Sequence, residues 1–247
     1  GYTSAFLGKW HIAPGVGRGG KVADEVSPIG QGFDLNVGGT AYGGPPSFFS
    51  PYRNAELSDG PDGEYLPDRL VDETIRFIQA NKGKPWMTHL WFYTVHWPMQ
   101  APEPLLEKYA NRKGPGLNDT RYGAMIEAMD VAIGRLLKAL DEMGQAENTL
   151  VIFTSDNGPE RTWTKRAELY GHHSSGIYRE GKRSIYEGGH RVPALRFESS
   201  DLLAFLEIPD LQRPIVRATE SPRACVGIER LDAYHTARVA FQRRDQL

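Results

Sequence analysis

The chain has 247 residues, 40% hydrophobic and 24% charged, a composition ordinary for a globular protein and large enough for one sizeable domain or a domain with a partner piece. Lys+Arg 29 against Asp+Glu 31 gives a net charge of -2, so no global basic field argues for nucleic acid, and any anion binding has to be local. The single cysteine, Cys225, excludes an internal disulfide framework and a cysteine-based zinc cluster, and no apolar run approaches the roughly 18–20 residues that span a bilayer. Gly1 to Leu7 carries neither an initiator Met nor the basic and apolar regions of a signal peptide. It reads as a segment from inside a domain, and the chain is expected to begin late within a longer protein.

Residues 2–7 predict a short strand, with Lys9 and His11 just past its end. Two residues apart in an extended segment, their side chains would project to one face. Residues 30–63, rich in Gly, Pro, Ser and aromatics, predict a long irregular loop of the kind that often serves function. Leu70, Val71, Thr74, Ile75 and Ile78 recur at helical spacing from about Leu66, and Asn81-Lys82-Gly83 is a suitable stop. Trp86 to Val95 is nearly continuous apolar and aromatic sequence, which predicts a strand covered on both faces with His89 as a satisfied core residue. A second helix follows from the stripe Tyr122, Met125, Ile126, Met129, Ile133, Leu136, Leu137, Leu140 and Met143, with Asp119 or Asn118 as its cap and Gly144 beyond its end. Thr149 to Thr154 predicts a buried strand that stops at the turn Asp156-Asn157-Gly158.

Strand–helix–strand alternation indicates an α/β layered fold with a largely parallel central sheet, in which ligands collect at the C-terminal ends of strands. Three clusters of polar side chains fall just where strands are predicted to end. Composition changes after Leu195: residues 196–247 hold eight Arg, no Lys and one Gly, against nine Lys and 26 Gly before them. The expected organisation is a domain over 1–195 and a divergent C-terminal segment over 196–247, the latter either another domain's piece or sequence from an altered reading frame. Ser200 to Glu207 can form a short amphipathic helix.

The polar clusters carry the chemistry. Lys9 offers a compact positive charge to an anion, and His11 can move a proton near neutral pH. The competing reading is an exposed lysine beside a packed Trp10–His11 pair. His96 leaves the second strand into Trp97-Pro98, where the prolines stiffen its exit, although a lone histidine there is often structural. Asp156 and Asn157 at a strand tip are hard oxygen donors suited to Ca2+ or Mg2+, or else a plain Asx turn. Lys182 stands four residues before Tyr186-Glu187-Gly188-Gly189, whose glycines allow close backbone approach; a solvated basic face is the alternative. His172 and His173 lie in a polar loop and could line a substrate groove.

Taken in order, Gly8-Lys9-Trp10-His11, His96-Trp97-Pro98, Phe153-Thr154-Ser155-Asp156-Asn157-Gly158 and Lys182 through Pro193 resemble the formylglycine-dependent sulfatases of the alkaline phosphatase superfamily. Gly32-Phe33-Asp34, Gly63-Glu64-Tyr65-Leu66 and the helix from Tyr122 to Glu142 extend the likeness over roughly residues 1–195. The resemblance implies a layered α/β/α sandwich with a central, mostly parallel mixed sheet, here incomplete. It implies sulfate-ester hydrolysis, with sulfated carbohydrates or small molecules as substrates. Lys9, His96 and Lys182 match sulfate-binding positions, and His11 matches the histidine that contacts the formylglycine hydrate. Asp156 and Asn157 match two ligands of the family's metal ion, Ca2+ in preference to Mg2+. A periplasmic or secreted setting is implied for an intact relative, while oligomeric state stays open.

The departure from the family pattern is as informative. The nucleophile precursor, a Cys or Ser in Cys/Ser-x-Pro-x-Arg, should precede Gly8, as should a paired-aspartate metal motif, and neither is present. Phe49-Ser50-Pro51-Tyr52-Arg53 keeps the Pro and Arg spacing but has Phe at the nucleophile position, and Cys225 comes far too late. The chain as given is therefore expected to be inactive or nearly so. A phosphoester-hydrolysing relative and a non-catalytic calcium- or anion-binding remnant are the alternatives.

Overall fold

The computed structural model describes residues 1–14, 17, 19–112, 119–160 and 175–197, and the backbone of strands 227–229 and 238–240. They fall into two compact units, Gly1–Ala110 with Arg121–Met143, and Asn111–Thr120 with Gly144–Leu247.

The first unit is built on strand β1 (Thr3–Gly8), flanked by β2 (Leu35–Val37) and β3 (Trp86–Trp91), all parallel, in the order β2-β1-β3. Ala5, Phe6 and Leu7 are wholly buried at the centre of this sheet. Helix α1 (Leu66–Asn81) packs on β1 and β3. Its first turn holds Pro67, where a missing N–H costs nothing, and its inward face is Leu66, Leu70, Val71, Thr74, Phe77 and Ile78. Thr74 is buried without penalty because its hydroxyl donates to the Leu70 carbonyl at 2.8 Å. The helical stripe expected from the sequence thus gains Phe77, while Ile75 is only half-buried.

Two expectations for this unit need correction. Residues 30–63 are not wholly irregular, since β2 lies within them and closes one side of the sheet. The strand expected over Trp86–Val95 stops at Trp91 and is not covered on both faces: Met87 and Trp91 are 42% and 43% exposed. Continuous apolar sequence signals attraction to a core, but β3 is an end strand of this sheet, so only part of it finds cover. An aromatic cluster supplies that cover on one side, with Phe6 edge-on to Trp10, Phe33 and Trp91 at 4.9, 5.6 and 5.1 Å. His89 joins it edge-on to Phe33 at 5.2 Å, and burial pushes its imidazole below the usual histidine range.

Helix α2 (Glu103–Tyr109) is followed by the long helix α3 (Thr120–Glu142). Its buried residues are Gly123, Ala124, Met125, Ala128, Ala132, Leu137 and Leu140, so small residues replace part of the predicted stripe on the buried face. Ile126, Met129, Ile133 and Leu136 are half-buried beside them. Asp119 is buried just before the helix, Asn118 lies outside the described residues, and Gly144 takes the left-handed φ of 64° expected after its end. The Arg135 guanidinium reaches from α3 to Asp68 (2.7 Å) and Asp72 on α1.

In the second unit, β4 (Val151–Thr154) pairs antiparallel with β5 (Ala194–Phe197), with the four-residue helix α4 (Glu187–His190) between them in sequence. β4 was expected to be buried; instead Leu150 and Ile152 are 61% and 64% exposed. Strands β6 (Gly227–Glu229) and β7 (Arg238–Ala240) form a separate antiparallel pair. The helix expected over Ser200–Glu207, the His172–His173 loop and Cys225 lie outside the described residues. Among the described residues, no helix is long and apolar enough to cross a membrane.

Candidate active site

Lys9 and His11 leave the C-terminal tip of β1 through a turn that only glycine allows. Gly8 has φ 97°, and a Cβ there would sit 2.0 Å from the Trp91 carbonyl oxygen. The next peptide returns to the same carbonyl, with the Lys9 N–H donating to it at 2.8 Å. His11 itself has φ 52°, and its N–H donates to the Thr40 carbonyl at 3.0 Å. Lys9 and His11 are therefore not on one face of an extended segment, as the spacing alone predicts. The turn orients each separately, with Lys9 half-buried and His11 exposed. Between them Trp10 is buried, its indole N–H donating to the Val26 carbonyl at 2.9 Å, which anchors the turn to the sheet.

His96 arrives from the end of β3. Its Nδ1 lies 3.0 Å from the Trp97 carbonyl oxygen. A carbonyl can only accept, so this contact holds the proton on Nδ1 in the neutral ring and leaves Nε2 as the acceptor. The third party is the loop, where the buried pair Gly43-Gly44 runs beneath both rings. The place of a Gly43 Cβ is 2.5 Å from His11 Nδ1, and that of a Gly44 Cβ is 2.6 Å from His96 Nδ1. Two histidines 85 positions apart in sequence thus rest on neighbouring residues. Sequence reasoning counts Gly43-Gly44 toward the loop's composition without connecting the pair to either histidine; glycines against imidazoles leave no pattern in one chain.

The loop is fastened at several points. Tyr52, fully buried, donates its hydroxyl to Glu64 at 2.7 Å, and Arg69 on α1 donates to the same carboxylate at 3.1 Å. Burial and the Glu64 carboxylate push the Tyr52 phenol far above its usual value. The Tyr65 hydroxyl donates to the Gln100 carbonyl at 3.0 Å, and the Gln100 side chain accepts from the Phe48 N–H at 2.9 Å. Gly63-Glu64-Tyr65-Leu66 is therefore a fastening for the loop. Ser50, in the segment with nucleophile-like spacing, is buried and donates to the Gly60 carbonyl at 2.8 Å, which gives it a structural job.

In the second unit the other two clusters meet. The Gly158 N–H donates to the Gly189 carbonyl and the Lys182 N–H to the Pro159 carbonyl, both at 2.8 Å. A Cβ on Gly158 would fall 1.8 Å from the Gly188 carbonyl oxygen, so the Asp156–Asn157 turn and the Lys182–Gly189 segment touch backbone to backbone. Asp156 is exposed and Asn157 half-buried, with the Asn157 amide nitrogen donating to the Gly158 carbonyl at 2.9 Å. The carboxamide oxygen and the carboxylate are the hard donors this turn presents. They suit Ca2+ in kind but are only two of the roughly six to eight oxygens it takes. Among the described residues, no group of three or more His, Cys, Asp or Glu side chains could hold a metal ion. Nearby, Arg179 stacks on the Tyr186 ring at 3.8 Å and Arg191 on Tyr178 at 4.8 Å.

In the first unit, then, Lys9, His11 and His96 follow the ends of β1 and β3, and in the second the Asp156–Asn157 turn lies against the Lys182–Gly189 segment, on an α/β framework. The family profile described as Sulfatase matches residues 1–206, and the chain belongs to the sulfatase family. It is 40% identical to the steryl-sulfatase of Mus musculus over 53% of this chain and 20% of that one. It is 37% identical to the N-acetylgalactosamine-6-O-sulfatase of Bacteroides thetaiotaomicron over 53% of this chain and 25% of that one. Among solved structures, Ps i-CgsB in complex with k-i-k-neocarrahexaose superposes with a TM-score of 0.64 at 26% identity, over 81% of this chain and 46% of that one. The chain thus spans a quarter or less of these two curated relatives.

Proposed function

We propose that this chain carries part of the sulfate-handling site of a sulfuric ester hydrolase acting on sulfated carbohydrates. The observation that carries the reading is the seating of His11 and His96 on adjacent glycines at the sheet's strand tips. The N-acetylgalactosamine-6-O-sulfatase and the neocarrahexaose complex among its relatives support a sugar substrate. In this reading Lys9, His96 and Lys182 hold the sulfate oxygens, and fixed cations stabilise charge that builds on the transferring group. With Nδ1–H given to the Trp97 carbonyl, His96 holds a sulfate oxygen as the imidazolium, donating from Nε2, whereas His11, exposed at the turn, moves a proton to or from the reacting oxygen. Asp156 and Asn157 contribute two oxygens to a Ca2+ shell, an ion that supplies Lewis-acid polarisation when bound.

These 247 residues contain no Cys/Ser-x-Pro-x-Arg sequence, so the attacking group has no source within them. Loss of a nucleophile from a cooperating site costs about 10⁶ in turnover in comparable hydrolases. Binding without turnover is the expected behaviour. Inorganic sulfate titrated into the chain in the presence of Ca2+ should bind, and Lys182→Ala or His96→Ala should each weaken it about 10- to 100-fold, the worth of one charged hydrogen bond. A folded sample that ignores sulfate would overturn the binding role. Turnover of an aryl sulfate within a hundredfold of full-length relatives would overturn the expected inactivity.

A further inference from the structure

We infer that Gly43 and Gly44 are positioning residues that set the two site imidazoles separately, Gly43 seating His11 and Gly44 seating His96. The inference rests on the proposed sulfate site for its purpose, but its geometry stands by itself. Neither glycine has φ in the left-handed region, so backbone freedom does not explain them; room does. A Cβ on Gly43 would lie 2.5 Å from both Cε1 and Nδ1 of His11 and 3.1 Å from its Cγ, inside the ring's own volume. One on Gly44 would lie 2.6 Å from His96 Nδ1 and 2.6 Å from the Trp97 carbonyl oxygen, the two ends of the contact that fixes the His96 tautomer. Both glycines are buried, whereas His11 is exposed and His96 half-exposed.

The seat is anchored close by. Thr40 accepts from the His11 backbone, Gly38 accepts from the buried Tyr93 hydroxyl at 2.8 Å, and Phe48 is fastened to Gln100. An imidazole pressed on backbone that cannot retreat loses rotamer freedom before any ligand arrives, which is what preorganisation of a binding group requires. Because the two glycines meet different rings, their replacement should separate the two histidines.

The experiment uses the full chain, labelled with 15N, and reads the ring nitrogens of each histidine. Gly43→Ala should move the His11 ring signals and leave those of His96. Gly44→Ala should move the His96 signals and shift its tautomer balance away from the Nδ1–H form, leaving His11. Gly134→Ala, at a helical position where a Cβ meets nothing, should move neither. Each cradle variant should also weaken inorganic sulfate binding about tenfold, as expected for one misdirected charged hydrogen bond. Ring signals unchanged by both variants, or moved indiscriminately in folded protein, would overturn the inference even if sulfate binds. Selective ring shifts in a chain that binds no sulfate would instead uphold the cradle and remove the sulfate reading. Should Gly43→Ala not fold, the double variant His11→Ala/Gly43→Ala decides the matter, because deleting the ring restores the space. A double variant as unstable as the single one refutes the seating of His11.

Discussion

Replacing Gly8 with alanine tests the turn that launches Lys9 and His11. The new Cβ would stand 2.0 Å from the Trp91 carbonyl oxygen, where real Cβ contacts essentially never fall below 3.0 Å, so backbone has to move by about 1 Å. Neither partner yields easily. Gly8 and Trp91 are paired in the β1–β3 ladder, and the same oxygen accepts from the Lys9 N–H at 2.8 Å. Alanine at φ 97° also carries backbone strain. Strain of about 1–3 kcal/mol, together with overpacking and a weakened hydrogen bond, gives roughly 2–5 kcal/mol in all. At about 2–4 °C per kcal/mol for a chain of this size, Tm should fall by roughly 5–15 °C. Urea unfolding followed by tryptophan fluorescence suits the question, since Trp10 and Trp91 stack 6.4 Å apart beside the turn. Gly134→Ala on α3 is the matched control and should stabilise by up to about 1 kcal/mol, because an open helical site gains from alanine. A Gly8→Ala midpoint within experimental error of the parent protein would refute the reasoning.

Three further outcomes follow from the same physical chemistry. Tyr52→Phe removes the donor to Glu64 but leaves the carboxylate with Arg69, so it should cost about 1–2 kcal/mol; Glu64→Leu leaves the buried phenol without its acceptor, while Arg69 keeps Glu73 and Ser58, and should cost more, both read from urea midpoints. Phe6→Ala, at a wholly buried position holding three aromatic neighbours, should cost about 3–5 kcal/mol by the same measurement. His89 has its folded pKa depressed by burial, so its contribution to stability is complete above the ordinary histidine value and is lost as pH falls through the folded value. His89→Phe should flatten that part of the pH–stability curve; an unchanged slope would show that His89 is not its source.

Local pattern was enough to determine helices α1 and α3 and the places of strands β1, β3 and β4, though not β2 or α2. Helix α1 begins at Leu66 and ends at Asn81, as its periodicity and stop signal require, because a helix buries one stripe and the stripe is written in the spacing. The ordered clusters Gly8–His11, His96–Pro98, Asp156–Gly158 and Lys182–Gly189 were sufficient to indicate the sulfatase family. Burial was less legible. The apolar runs 86–95 and 149–154 both imply covered strands, yet among the described residues β3 is an end strand of its sheet and β4 pairs with β5 alone, and a strand's cover depends on neighbours its own residues do not encode. The seating of His11 and His96 on Gly43-Gly44 is likewise a tertiary fact. It joins residues some 30 and 50 positions apart through steric room alone, and empty space beside a glycine has no signature in a single chain. Composition and periodicity report what each segment would bury, whereas proximity across the fold decides which side chains share a site.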